Sequence, residues 1–499
     1  MRLSAAQVDR ACGVLLGAAV GDALGAGYEF GAAPLVGRPE MIGGGLGNFA
    51  PGEWTDDTAQ TYAIAHVAAS CAIGGADLRT EAALDRIAAG FAAWYAAGPP
   101  DVGIQTSHVL GAVRANPTAR AMAEAAAALH RRTGRTAGNG SLMRTSPVAL
   151  AHLADEQALV DAAMAVSALT HADPLAGEAC VLWCLAIRHA VLTGELGDPR
   201  AGLARLPADR REFWREKLDE AERLEPARFR PNGFVVTALQ AAWSAIWHTA
   251  VPAHQPAAGR FASDHLVAGL EAAIAIGDDT DTVATIAGAL LGARWGESAV
   301  PARWRRVVHG YPGLRADDLT RLAFIAVAGG PNRRGWPGAA RIEYAGHHGR
   351  DTLVPHPHDE GVWIGGVGAL DVLPPDVTAV VSLCLVGATQ VPAGLEHVSY
   401  RLLDEPDRAD NPNLDFVLDD AARTIAALRE EGHVVLLHCV AAHSRTPAVA
   451  IRYSQLLGID PRQAYDEVCA ALPDGRPNAG FRKALRRLSA STPGDRFSG

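Results

Sequence analysis

The sequence predicts a multidomain protein, an all-α N-terminal domain followed by a smaller α/β domain, and three observations predict it. The 499 residues exceed the roughly 250 to 300 that one hydrophobic core organises. Residues 1–328 alternate Ala/Leu/Val-rich runs of helical period with Gly and Pro breaks, and hold few alternating β-branched stretches. After a Gly/Pro-rich stretch at 329–350, read as a linker, residues 351–499 turn to short β-like runs alternating with helical ones.

Taken in order, the first domain opens on Gly13, Gly17, Gly21 and Gly25, four apart, which on a helix make one bare stripe for close packing. Gly288 and Gly292 repeat the device. Trp54-Thr55-Asp56-Asp57-Thr58 has the chemistry of a helix start, since Thr or Asp caps free N–H groups ahead of the apolar pattern. Asp278-Asp279-Thr280-Asp281-Thr282 forms a second acidic cluster; Asp279 and Asp281 are too close in sequence to share a helix face, and converge only in a turn. Cys180 and Cys184, four apart, read as buried small hydrophobes. Residues 198–232, rich in Arg, Glu and Pro, read as an exposed helix and loops without chemistry.

In the second domain, 362–364, 378–384, 398–403 and 434–439 read as strands and about 413–430, 446–457, 462–471 and 478–489 as helices, giving a largely parallel sheet. Cys439 to Arg445 falls between the last strand and a helix that opens on Thr446-Pro447. A cysteine under a loop whose N–H groups converge at a helix N-terminus is a thiolate nucleophile, and an arginine six positions on can grip two phosphate oxygens.

Hydrophobic residues at 49% and charged residues at 20% describe a soluble globular chain. The net charge of −10 argues against a general nucleic-acid binder, so none is expected as partner. Seven scattered cysteines, an odd number, make no disulfide framework. The chain starts without the basic segment, apolar core and cleavage site of a secretory signal, and the apolar stretch 11–26 is broken by Asp22 and glycines, short of the ~20 residues of a membrane span. A cytoplasmic protein with no membrane partner is expected.

Carboxylates and threonine hydroxyls are hard oxygen ligands, costly to crowd together without a cation such as Mg²⁺ or Mn²⁺. The two acidic clusters, with Glu29 added, therefore read as one divided site for two divalent cations.

Five ordered motifs carry a resemblance over about residues 8–300: Gly21-Asp22-Ala23-Leu24-Gly25 with Tyr28-Glu29, Trp54 to Thr58, Gly138-Asn139-Gly140-Ser141-Leu142-Met143-Arg144, Thr170-His171-Ala172-Asp173, and Asp279 to Val283. They resemble the ADP-ribosylglycohydrolases. The resemblance implies that Thr55, Asp56, Asp57, Asp279, Asp281 and Thr282 ligate a binuclear Mg²⁺ or Mn²⁺ centre, with Glu29 as ligand or gate and Asp101 near the ribose. It further implies that Gly138, Asn139, Gly140, Ser141 and His171 line an ADP-ribose pocket. Asp278 departs from the family, which commonly has glycine there; its side chain could tighten the metals, alter the substrate or face solvent.

Residues 358–490 resemble the dual-specificity and tyrosine phosphatases through Cys439 and Arg445, with Pro477-Asn478-Ala479-Gly480-Phe481 similar to the family's C-terminal helix entry. The resemblance implies Cys439 as nucleophile, Arg445 as phosphate binder, Thr446 as the hydroxyl aiding the leaving thiolate and Asp404 as general acid, with Asp407 and Asp410 as alternatives and no cofactor. Ala442 stands where glycine is usual. The expected activities are hydrolysis of an ADP-ribosyl linkage on a protein or small derivative, and a cysteine phosphatase acting on a phosphorylated substrate. Two alternatives stay open: an adaptor whose second domain binds phosphate without turnover, and a hydrolase of another nucleoside or sugar linkage.

Overall fold

Gly13, Gly17, Gly21 and Gly25 lie along one side of the Ala5–Gly25 helix, against the Thr280–Trp295 helix. A Cβ at Gly17 would stand 2.3 Å from Gly288 O, and one at Gly25 2.5 Å from Asp281 Cα. Only glycine lets the two backbones touch at these positions. Ser4 caps the first helix through a reciprocal bond with Gln7, and the helix is buried nearly all round.

The structure is a computed structural model describing residues 1–489; positions 490–499 of the expected 351–499 domain lie outside the described residues. The chain divides into two units. The first comprises Met1–Ala250, His265–Val300 and Trp304–Gly330; the second comprises Val251–Asp264, Pro301–Arg303 and the chain from Pro331.

The first unit is helical, apart from a ribbon of β1 (His309–Gly310) and β2 (Leu314–Arg315). Its helices Ala5–Gly31 and Pro174–Thr193 are long and apolar enough to cross a membrane by length and composition, contrary to the expectation that no run reaches that length. Their apolar surface is spent inside the bundle, where Leu16, Val20, Cys180, Val181 and Ile187 are fully buried.

The second unit is a five-stranded mixed sheet in the order β3 (Leu353–His356), β4 (Asp359–Gly365), β7 (Val434–His438), β5 (Val377–Ser382), β6 (Glu396–Ser399). Only β3 runs antiparallel to its neighbour. The edge strand β3 was not expected from sequence, where Pro355 and two histidines obscure its alternation. In β7 the period of two divides the core: Val435 and Leu437 face a cluster with the helices Leu414–Glu430, Arg445–Leu456 and Ala479–Ser489, while Leu436 faces a second cluster.

Two expected boundaries are corrected. Residues 331–350 are packed rather than linking, because Ile342 and Tyr344 are buried in the same cluster as Val367 and Leu370. Segments 251–264 and 301–303 belong to the second unit: Phe261 meets Phe416 edge-on at 5.5 Å, and Ala302 N–H donates to Asp420 at 3.0 Å.

Candidate functional site

The glycine seam sets the first site. Because Gly25 abuts Asp281 and Thr280 Oγ1 donates to Gly25 O at 2.8 Å, the start of the Thr280–Trp295 helix is fixed beside the end of the first helix. Asp22, fully buried on that first helix, accepts Thr55 N–H and Thr58 N–H, both at 2.9 Å, and so caps the Asp56–Gly74 helix. Asp22 thereby anchors the first acidic cluster to the helix whose end abuts the second. Thr55 Oγ1 lies 3.3 Å from Asp281 Oδ2 and 3.4 Å from Asp57 Oδ2, and Thr282 Oγ1 lies 3.2 Å from Asp57 Oδ2.

Glu29, Asp279 and Asp281 each offer an oxygen within 4.8 Å of the others. With Asp56, Asp101, Gly138, Asn139, Gly140, His171 and Thr282, they line a cavity of about 360 Å³. Glu29 Oε2 and Asp57 Oδ1 are buried with no hydrogen-bond partner among the described residues. Burial, then the charges of Asp279, Asp101 and Asp56, push the Glu29 carboxyl up to about 9. Asp56, Asp57 and Asp281 are likewise held well above the usual carboxylate range, by burial first and then by neighbouring carboxylates, foremost Asp101 for Asp56, Asp22 for Asp57 and Glu29 for Asp281. Asp101 is raised by burial and more weakly by Asp279.

A polar relay supports the floor. Arg144, fully buried, donates to Gln60 Oε1 and, at 2.5 Å, to Thr170 Oγ1; its guanidinium also stacks 4.3 Å over the Phe91 ring. Gln60 Nε2 donates to Asp56 Oδ2 at 2.8 Å, and Thr170 Oγ1 meets His171 Nδ1 at 2.8 Å. Burial and Arg144 keep the His171 ring well below its ordinary pKa, hence neutral. A Cβ on Gly138 or Gly140 would reach 3.2 to 3.4 Å from that ring, so the glycines leave the imidazole its place at the wall.

Most expected positions come together here, with differences. Ser141 does not line the cavity: its hydroxyl accepts from Ser167 Oγ at 3.0 Å and Cys180 Sγ at 3.7 Å in the core. Thr55 and Asp57 lie behind the cavity wall. Asp278 holds φ 61° and gives its carbonyl to Phe30 N–H at 2.6 Å, so the usual glycine there answers a backbone demand. Sequence reasoning missed Asn232, within the stretch read as free of chemistry. Fully buried, it accepts Asp279 N–H at 2.9 Å, and its carbonyl accepts Asn139 Nδ2 at 3.1 Å, while Asn139 also donates to Asp279 Oδ2 at 2.7 Å. The Asn-Gly pair at 232–233 was its one signal, and that pair ordinarily marks a turn.

In the second unit, Cys439 follows the central strand β7 at its carboxyl end, where open α/β sheets place their ligands. The 439–444 loop leads into the Arg445–Leu456 helix. Arg445 Nη1 donates to Leu383 O at 2.7 Å and Leu402 O at 3.2 Å, leaving a buried Nε–H with no partner among the described residues. Thr446 Oγ1 donates to Gly365 O at 3.1 Å. Beneath the loop, Ser382 Oγ bridges His438 Nε2 at 2.7 Å and His397 Nε2 at 3.0 Å, and burial drives His438 down to about 4. Asp404 is exposed and receives Asn478 Nδ2 at 3.0 Å; Asn478 N–H in turn donates to Ser444 Oγ at 3.1 Å. The alternative acid Asp407 is engaged with Ala409 N–H at 2.9 Å in its own turn.

The first unit thus defines a class: helical proteins that collect carboxylates and threonine hydroxyls from separate helix starts around one cavity. Within it the assignment is narrower. Residues 3–334 match the ADP-ribosylglycohydrolase family, and the chain belongs to that family. It is similar to the ADP-ribosylarginine hydrolase Tri1 of Pseudomonas putida, 32% identical over 60% of this chain and 73% of that protein. It is also similar to the ADP-ribosyl-[dinitrogen reductase] glycohydrolase of Rhodospirillum rubrum, 29% identical over 59% of this chain and 89% of that protein. A further 28% of this chain is 29% identical to 72% of the dual specificity protein phosphatase 1 of Arabidopsis thaliana.

Proposed function

We propose that the first unit hydrolyses an ADP-ribosyl glycosidic linkage on a modified protein or small derivative with the aid of two divalent cations, and that the second unit is a cysteine phosphatase. The observation carrying the first assignment is the cavity's charge. Glu29, Asp56, Asp101, Asp279 and Asp281 line it, and no Lys or Arg does among the described residues. Ionised, these carboxylates repel an anionic diphosphate unless cations neutralise them.

The residues fit that requirement. Glu29 Oε2 and Asp57 Oδ1 are buried and unmet, the donor set is all hard oxygen, and three carboxylates converge within 4.8 Å. Thr55, Asp56, Asp57, Asp279, Asp281 and Thr282 would hold the cations, with Glu29 beside them. When bound, Mg²⁺ or Mn²⁺ supplies neutralisation of the carboxylates and polarisation of ribose and water oxygens. Cleavage at ribose C1 passes through an oxocarbenium-like state. Asp101, half-buried at the cavity wall, would orient the attacking water. The neutral His171 ring and the glycine backbone at 138–140 position diphosphate or ribose oxygens.

In the second unit, the unmet Arg445 Nε–H and the strand-end position of Cys439 support phosphate binding, attack by Cys439 at phosphorus and protonation of the leaving group by Asp404. The fusion suggests substrates carrying both modifications, in a reducing, cytoplasmic setting.

The test compares wild type, Asp57→Asn and Cys439→Ser on ADP-ribosyl peptides and an aryl phosphate, with and without Mg²⁺ or Mn²⁺. ADP-ribose release should vanish only with Asp57→Asn or metal removal, and phosphate release only with Cys439→Ser. Metal-independent ADP-ribose release would overturn the first assignment. A wild type inert towards every phosphate ester would leave the second unit a binding module.

A further inference from the structure

Residues 251–264 lie between two stretches of the first unit, yet they belong to the second. The segment is closed on itself: Gln255 N–H donates to Arg260 O at 2.9 Å, and Phe261 N–H donates to Asp264 Oδ2 at 2.8 Å. With the Phe261 ring against Phe416, this closed loop presents His254 to the start of the Leu414–Glu430 helix. His254 donates from Nε2 to Asp415 Oδ2 at 2.8 Å, while its Nδ1 receives Ala262 N–H at 3.5 Å.

Asp415 is fully buried, and Arg487 grips both of its oxygens, at 2.6 and 3.0 Å. A third donor reaches the same carboxylate. Arg408 Nη2 stands 3.5 Å from Asp415 Oδ2 and 3.2 Å from His254 Nε2. Arg408 belongs to the loop that carries Asp404, and residues 404–409 of that loop are exposed and form neither helix nor strand. An acid there is only as well aimed as the loop's attachments. Asn411 closes the base, accepting Leu403 N–H at 2.9 Å and donating to Leu403 O at 3.0 Å. Pro406 O abuts Gly480, where a Cβ would stand 2.6 Å away, and Arg408 ties down the next stretch.

We infer that His254 is a positioning residue for the general acid of the second unit: with Asp415 it anchors Arg408, and Arg408 holds the loop that aims Asp404 at the leaving group. The inference rests on the reading of this unit as a cysteine phosphatase. In that reaction the Cys439 Sγ–P bond forms as the ester P–O bond breaks, and the proton of Asp404 ends on the leaving oxygen. A proton donor must stand within hydrogen-bond reach of that oxygen, and a misplacement of about 1 Å costs up to about a hundredfold in rate. An exposed ion pair would hold the loop weakly, but Asp415 is shut away from water, so its pull on Arg408 is less screened. Without the imidazole, water reaches Asp415 Oδ2 and Arg408 loses a neighbour. His254 and Asp415 are 161 positions apart, and the chain between them runs back through the first unit.

The experiment uses the full chain and two esters: dinitrophenyl phosphate, whose leaving group departs readily as the anion, and phenyl phosphate, whose leaving group needs a proton. Asp404→Asn sets the scale, with kcat/KM for phenyl phosphate down about a hundredfold and for dinitrophenyl phosphate down less than about threefold. His254→Ala and Arg408→Ala should each lower the phenyl phosphate value about tenfold and change the dinitrophenyl phosphate value by less than about twofold. The inhibition constant for inorganic phosphate should not move, and His254→Gln, which keeps an amide N–H near the place of Nε2, should restore most of the loss. Added to Asp404→Asn, His254→Ala should cost nothing further on phenyl phosphate, because the group it positions is already gone. Equal losses on both esters, no loss on either, or a further loss in the Asp404→Asn background would overturn the inference while leaving the Cys439 chemistry intact. A wild type inert towards both esters would overturn the phosphatase reading and this inference with it.

Discussion

Ala442, itself buried, sits at φ 54°, a left-handed conformation that crowds its Cβ against the following carbonyl. Ala442→Gly should therefore stabilise the second unit by about 1 kcal/mol, read as a higher denaturant midpoint with unchanged slope. Asp278 shares the backbone demand without sharing the site, since it holds φ 61° and does not line the cavity. Asp278→Gly should leave metal-supported ADP-ribose release within about twofold; a larger change would give its side chain a role. Both departures were visible in the sequence as positions where glycine is usual, but whether the demand was steric or chemical needed the dihedral angle. Carboxylates and threonines stacked at helix starts announce themselves because capping needs only one of them. Asp22 and Asn232 do not, for an aspartate inside an apolar helix and an asparagine before glycine have ordinary meanings until the fold sets them 2.9 Å from the N–H groups they hold.

Helices were legible where period and punctuation agreed, and the Asp56–Gly74 and Thr280–Trp295 starts fell where the acidic clusters stood. The pairing of Ala5–Gly25 with Thr280–Trp295 was legible only as a capacity for close approach, since a glycine stripe does not name its partner. Gly17→Ala should cost about 2 kcal/mol or more, because the new methyl would meet Gly288 O, a backbone atom that cannot swing aside; thermal melting of the metal-free chain checks it. Asn478, just ahead of the helix that begins at Ala479, reaches Asp404 from 74 positions away in sequence. Asn478→Ala removes the 3.0 Å contact to Asp404 and should lower phosphate release about tenfold with little change in phosphate binding, measured as kcat against the inhibition constant for inorganic phosphate. The stretch at 329–350 reads as a linker because Ile342 and Tyr344, scattered among Gly and Pro, carry no periodicity and bury themselves only through tertiary packing.

Two units with separate cores should unfold in two transitions, only one of which answers to divalent cations. The buried carboxyls fix the sign of its pH dependence without metal. Asp22 is raised to about 6 and Glu29 to about 9, so the folded state holds protons that the unfolded chain, titrating near pH 4, has released. Stability of the metal-free first unit is then full below about pH 4 and falls as pH rises through about 6 and onward to about 9. Added Mg²⁺ or Mn²⁺ should reverse that fall at pH 8 and leave the second transition unmoved, as scanning calorimetry would show. The backbone-on-backbone seam at Gly13, Gly17, Gly21 and Gly25 adds a consequence for how this molecule can change. A side-chain interface can be retuned by one methylene at a time, but a seam filled by hydrogen atoms offers no smaller step than a methyl group. Variation there is all-or-none, so a library randomised at these four positions should return a bimodal distribution, molecules that work fully and molecules that do not fold, with few between.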